Sequence, residues 1–431
     1  MKNIKTFDTH AEYNAYITGS TKVLPNISYC KDNDESHITA KPKITMKVYV
    51  NEAGIKRIFG DSTNVESVVI DGVVTPKESG TGKYNFVTAG EHTVKILFKD
   101  SMDYVEEFMF TKDSSVCEVD ILSIKLSKAF KYIRDYVFEK QSGLTSVTLP
   151  DTIVSIGEYA FTECTNLSSI NIPNGVTSIL EDTFSYCHSL TSVTILDSVT
   201  SIGNSAFQGC SGLTSIEIPS GVTSIGTGAF QNCTGLTSVT IPSGVTSIGR
   251  YAFQNCRSLT SVVIPDGVTS ISQDTFNDCR SLTSVTIGSG VTSIGSNAFF
   301  GCSGLTSVEI PDSVTSIGSS AFRHCSGLTS VTIGDGVTSI GTSGFCNCRS
   351  LISVTIGSGV TSISQYAFRA TYSLTSITSR ATTAPSIVMN TFQEILPGGT
   401  LYVPIGSTGY DTWMGTGNYY LGKYSWTKVE Q

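Results

Sequence analysis

From Leu144 to Leu374 the apolar side chains return on a fixed 23-residue beat. Numbered from its leading Leu, nearly every copy is apolar at positions 1, 4 and 6, as in Leu236, Val239 and Ile241, followed in most by Pro or Gly at position 7. That alternation predicts a short strand with 4 and 6 turned inward, and 3 and 5 turned to the other face. A glycine turn near position 9 precedes a second apolar stretch, Val245 and Ile248 at positions 10 and 13. Ala252 and Phe253 at 17 and 18, then Cys256 at 21, are expected to pack inward from one tight helical turn, because residues three apart share a helical side. The leading Leu recurs at 144, 167, 190, 213, 236, 259, 282, 305, 328, 351 and 374 without a slip. So regular a period predicts a solenoid, in which each copy buries its apolar side against its neighbours.

One copy cannot fold by itself. A buried Leu, Val, Ile or Phe yields roughly 1.5–3 kcal/mol, while each residue ordered costs roughly 1–2 kcal/mol of backbone entropy. Stacking removes water from both sides of a rung and reverses the balance. The same register, moved back one period, finds Ile121, Ile124, Leu126, Ile133 and Phe138, so 121–143 reads as a degenerate first copy within an array spanning 117–378. Its Lys125, Lys128 and Lys131 suit a rung that faces water. Beyond Leu374 the phrase decays at Arg380–Pro385, and Trp413, Tyr419, Tyr420, Tyr424 and Trp426 gather in a final segment, 379–431. Such aromatics are expected to close the open apolar end, the alternative being a carbohydrate platform.

The chain before the array has a different pattern. Within 1–43, Thr9–Glu12 carries a capping-box pattern for one short helix, and Leu24–Cys30 reads as a strand. Over 44–116, Ile44, Met46, Val48 and Val50 alternate with Thr45, Lys47 and Tyr49. Val94, Ile96 and Phe98 do the same, and Asp71-Gly72 marks a hairpin. A small antiparallel β-sandwich, Ig-like in layout, is expected there, although the Cys–Trp–Cys pattern of true Ig domains is missing.

The run L-T-S-V-T-I-P-x-G-V-T-S-I-G-x-x-A-F-x-x-C resembles the BspA-type leucine-rich repeats over about 144–378. The resemblance implies a curved, right-handed leucine-rich repeat solenoid with a parallel β-sheet, preceded here by the small sandwich. It also implies a cell-surface or secreted protein that binds host or matrix proteins, with no catalytic or metal residues to carry over.

Composition narrows the partners. A formal charge of -8 disfavours nucleic acid, which calls for a basic face. Charged residues are only 15% of the chain, and Ser and Thr supply the polar surface instead. No apolar run is long enough for a transmembrane span, and the basic start Met1–Lys5 lacks the apolar stretch of a secretory signal. Of twelve cysteines, nine stand at position 21, from Cys164 to Cys348. Their side chains run parallel along the array, which disfavours bridging, so free buried thiols are expected.

No H-E-x-x-H, phosphate loop, G-x-S-x-G or carboxylate pair occurs, so no catalytic residue, cofactor or metal site is assigned. His324 and Cys346, near Cys325 and Cys348, form the one group with the composition of a soft-metal site, but two of these cysteines belong to the inward column. The outward positions are more informative. Position 3 is Ser in all eleven copies, and position 5 is Thr except at Asn171, Glu217, Val263 and Glu309. One reading is a solubilising lining whose hydroxyls bond along the ladder. The other is a shallow recognition surface made by Ser215, Glu217, Ser238, Thr240, Ser261, Val263, Ser284, Thr286, Ser307 and Glu309. Arg257 and Arg280 at position 22 offer a second, edge patch for an acidic partner, against a scatter of solvated charge. The reading adopted is a non-enzymatic interaction protein holding a protein or glycan ligand. The alternative is a structural or virion-associated receptor binder attached by its N-terminal region.

Overall fold

A computed structural model of the chain describes residues 41–60, 64–75, 82–99, 102–106, 109–112, 117–417 and 420–431. The helix and strand expected before residue 41 lie outside these. Residues 41–431 form one compact unit. It begins with β1 (Lys43–Val50), β2 (Gly54–Arg57), β3 (Val65–Ile70), β4 (Val73–Thr75), β5 (Lys83–Phe86), β6 (Gly90–Phe98), β7 (Tyr104–Val105) and β8 (Asp120–Leu126). Thereafter each 23-residue copy contributes two short parallel strands, a main one at positions 3 to 5 or 6 and a second at 12 and 13.

The antiparallel strands do not make the self-contained sandwich expected at 44–116. β1 pairs with β6 on one side and with β8 on the other, both antiparallel. β8 then takes Ser146–Thr148 as a parallel neighbour, with Val147 opposite Ile124. The antiparallel strands and the first rungs therefore share one sheet, and β2–β5 forms a separate two-stranded piece. The reason is an open edge: the first rung presents a full row of unpaired backbone groups, and β1 satisfies them. β7 pairs in parallel with Tyr132–Ile133, so the second strand column begins one rung before the degenerate copy.

Register follows the period. Ser215 lies opposite Ser238 and Ile216 opposite Val239, and Ser224 lies opposite Ser247 in the second column. A one-residue insertion after Leu374 moves the last pairings to Ser362 opposite Ser386 and Ser376 opposite Thr400. The main strands are bonded in blocks, with breaks after Ser192–Thr194, Ser238–Thr240 and Ser284–Ile287. Across each break the turn segment keeps its own bonds, such as Phe207 N–H to the Ala229 carbonyl at 2.8 Å.

That turn segment is not the helical turn expected. Positions 16 and 20 adopt positive φ in rung after rung, as at Tyr251 (59°), Asn255 (59°), Asp274 (56°) and Asp278 (58°). A left-handed residue cannot continue a right-handed helix. The chain instead makes consecutive turns, with Gln254 N–H to Tyr251 O at 2.9 Å and Cys256 N–H to Phe253 O at 3.2 Å. The remaining N–H groups point along the array: Tyr251, Phe253 and Asn255 donate to the carbonyls of Gln273, Thr275 and Asn277 in the next rung. A third backbone ladder results, which the sequence pattern alone did not reveal.

The inward assignments hold. Positions 1, 10, 13, 18 and 21 of the central copies are buried, as at Leu236, Val245, Ile248, Phe253 and Cys256. The phenylalanines stack in one file from Phe110 through Phe392, with centroids 5.1–5.8 Å apart. Trp413 ends the file, tilted 54° on Phe392 at 5.4 Å. Its indole N–H donates to Pro385 O at 2.9 Å, and the Trp426 indole donates to Leu396 O at 3.0 Å. Trp413 and Trp426 are thus buried with their polar ends satisfied, as an end closure requires and a carbohydrate platform does not. Tyr419 lies outside the described residues.

Candidate binding surface

Every residue of the expected outward file is exposed: Ser215, Glu217, Ser238, Thr240, Ser261, Val263, Ser284, Thr286, Ser307 and Glu309. Val263 is 61% exposed, an apolar side chain held open to solvent in the middle of a hydroxyl-bearing face. The strands explain this. Val262 and Ile264 on either side of Val263 point inward and are buried, so the pleat forces Val263 out. Glu217 and Glu309 are set outward in the same way by their neighbours Ile216 and Ile218, and Val308 and Ile310.

The hydroxyls that bond along the array are not those of positions 3 and 5. Among the described residues, position 2 does this: Thr237 Oγ1 donates to Thr214 O at 2.9 Å and Thr260 Oγ1 to Thr237 O at 3.2 Å. Position 11 repeats the device, with Thr292 to Thr269 O at 2.9 Å and Thr315 to Thr292 O at 3.0 Å. The Ser and Thr of the outward file keep their hydrogen-bonding capacity for solvent or a ligand.

The cysteine column is structural. All eleven described cysteines are free and buried. Each of the nine at position 21 donates its thiol to the carbonyl of the Phe in the preceding rung, as Cys256 Sγ does to Phe230 O at 3.2 Å. That carbonyl also accepts the N–H of its own rung's position-21 residue, Cys in eight cases and Gln141 at Phe138, so both lone pairs are used. Burial raises these thiols; Cys210 is pushed up to about 12.

Cys325 and Cys348 belong to that column and give their thiols to Phe299 O and Phe322 O. His324 sits in the left-handed position 20 with its ring edge-on to Phe300 at 5.3 Å. The structure therefore does not bring His324, Cys325, Cys346 and Cys348 to one point. Among the described residues no group of three or more potential ligands is placed to hold a metal ion. Arg257 and Arg280 are both exposed, and Arg280 is drawn onto Asp278 at 3.2 Å.

Two concavities were missed by sequence reasoning. A trough of about 690 Å³ runs over the second strand column, floored by Gly203, Gly226 and Gly249. A smaller cleft of about 330 Å³ lies where Cys346 interrupts the outward column at position 19, between Arg323 and Arg369. Its one sequence signal is that Cys346 is smaller than the Gln, Asn, Phe and Arg that hold its column from Gln208 to Arg369; nothing in the pattern shows that the departure opens a space.

The profile described as BspA type leucine rich repeat region (6 copies) matches residues 79–214, 131–260, 200–327 and 269–396. The chain is similar to a leucine-rich repeat protein of Bacteroides ovatus, 24% identical over 72% of this chain and 95% of that one, with a TM-score of 0.50. A leucine rich cell surface protein of Faecalibacterium prausnitzii is 29% identical over 66% of this chain and 84% of its own, at a TM-score of 0.42. The pneumococcal vaccine antigen PcpA is 18% identical over 76% of this chain and 83% of its own, at 0.44. No curated protein matches the chain. No helix among the described residues is long and apolar enough to cross a membrane.

Proposed function

The chain belongs to the BspA-type leucine-rich repeat family, and from that premise we propose that it is a non-enzymatic binding protein of the cell-surface or adhesion type. Its ligand, a protein or glycan, lies along the outward face of the main strands over the rungs led by Leu213 to Leu305. The observation that carries this reading is the contrast on that face. Ser and Thr with unspent hydroxyls alternate with two carboxylates, Glu217 and Glu309, and an exposed apolar side chain, Val263, midway between them. A lining that served solubility alone has no use for an outward Val, whereas a shallow recognition surface gains from a dry centre flanked by charge. A repeat sheet also spreads recognition over many small contacts.

The test is a glycan and extracellular-protein array probed with the full chain and with the Glu217→Lys/Glu309→Lys double variant. Loss of a wild-type hit by tenfold or more, with an unchanged thermal melt, is expected. Unchanged binding by the double variant overturns the sheet face as the site.

A further inference from the structure

The outward column at position 19 changes character along the array. In the middle rungs it is a self-satisfied amide ladder, in which Gln208 Nε2 donates to Gln231 Oε1 at 3.1 Å and Gln231 continues to Gln254. Three rungs further on it becomes Arg323, Cys346 and Arg369. Rungs lie ~4.8 Å apart, so the two arginines are set roughly 10 Å apart with a small thiol between them. Where a Gln would fill the column and accept from Arg323, the cleft of about 330 Å³ opens instead.

The charges in this cleft do not balance. Glu394 takes Arg369 by two bonds, from Nε at 3.2 Å and Nη2 at 2.9 Å. Among the described residues Arg323 is paired with no carboxylate, and its Nε is buried with no hydrogen-bond acceptor. Its guanidinium lies over the Phe300 ring, 6.0 Å from Cζ to the centroid. Nε is enclosed, so an acceptor arriving in the cleft meets the guanidinium at its two terminal nitrogens. Nearby, burial and then the charges of Arg323 and Arg349 hold His324 below its ordinary value, against an opposing pull from Asp278. The Tyr366 ring, which carries the Arg369 guanidinium 5.4 Å from its centroid, and the Asn347 amide, whose Nδ2 lies 3.5 Å from Cys346 Sγ and whose oxygen is unspent, line the same cleft.

We infer that this cleft binds a small acidic sugar unit, its carboxylate or sulfate seated on the Arg323 guanidinium and its body against Tyr366 and Asn347. Guanidinium meets carboxylate or sulfate through two parallel N–H bonds, which Lys cannot copy. The cleft lies in the turn segment and uses no residue of the main-strand face, so it stands or falls separately from the sheet surface.

The test is calorimetric titration of the full chain with glucuronate, galactose 6-sulfate, inorganic sulfate and glucose, each at low and at moderate salt. Glucuronate or galactose 6-sulfate is expected to bind one per chain, more tightly than inorganic sulfate, weakening as salt rises, with glucose silent. Arg323→Gln should lose tenfold or more with an unchanged melt, because among the described residues the Arg323 side chain makes no hydrogen bond or ion pair, and Arg323→Lys should recover part of it. Glu394→Gln should tighten binding several-fold by removing the competing carboxylate. No binding, binding no tighter than inorganic sulfate, equal binding of glucose, or equal binding by Arg323→Gln overturns the inference.

Discussion

The middle of the array and its two ends solve the same burial problem differently. Between Leu213 and Leu328 each rung repeats its neighbour, so Phe stacks on Phe and each thiol meets the same carbonyl as the last. At the ends no identical partner exists, and single large or polar side chains take over. Gln141 stands where the column has Cys, and its amide donates to Phe110 O. At the other end Trp413 covers Phe392, and the Tyr410 hydroxyl reaches Ala381 O at 2.9 Å. The lesson is that repetition supplies stability by summation, whereas closure depends on individual side chains with no substitute.

The first way to break this comparison is pH. The thiol column is confined to the repeats, and every member is raised by burial. A folded value above the unfolded one, ~8.5, means the stabilisation is complete below that pH and is lost as pH rises towards the folded value. Each thiol then costs roughly 1.4 kcal/mol per pH unit. Melts taken from pH 8 to 11 should show steep alkaline loss, and Cys210→Ala with Cys256→Ala should make the slope shallower. A pH-independent melt contradicts the buried column.

Next in size are the aromatic truncations. Phe253→Ala in mid-array and Trp413→Ala at the closure should each cost ~3–5 kcal/mol. They should differ in form. Loss of Phe253 interrupts the file between two folded halves and should split or broaden the denaturant transition. Loss of Trp413 bares the last rung and should promote association in light scattering. Identical, single transitions for both variants would remove the distinction between interior and end.

The smallest effect sharpens the inside of a single rung. Thr237→Val removes a hydroxyl that bonds to Thr214 O and should cost about 0.5–1.5 kcal/mol. Thr240→Val, three residues away on the outward file, should stay within about 0.5 kcal/mol. Equal costs would mean that position 5 also bonds along the ladder.

The candidate surface was readable because a strand has a period of two: once Val262 and Ile264 are inward, Val263 must be outward. The turn was misread because Ala252, Phe253 and Cys256 have the same apolar spacing in a helix and in linked turns. What separates the two is backbone dihedrals at positions 16 and 20: Gly209, Asn232, Asn255, Asp278, Gly301 and Asn347 at position 20 are types that favour the left-handed conformation, a signal the apolar spacing masks, whereas the Tyr and Ser frequent at position 16 give no such sign. The antiparallel start was misread for a different reason. Alternation identifies β1 and β6 as strands but carries no information about which edge they join.

The sequence by itself determined the period, the rung-on-rung register and the sorting of side chains into inside and outside, because each is a consequence of spacing repeated without error. Tertiary structure alone decided which edge the antiparallel strands cover and that Arg323 is left beside an open cleft at Cys346. Those outcomes depend on which groups remain unsatisfied when neighbouring rungs meet, and satisfaction belongs to the packed whole, beyond what one stretch of chain can encode.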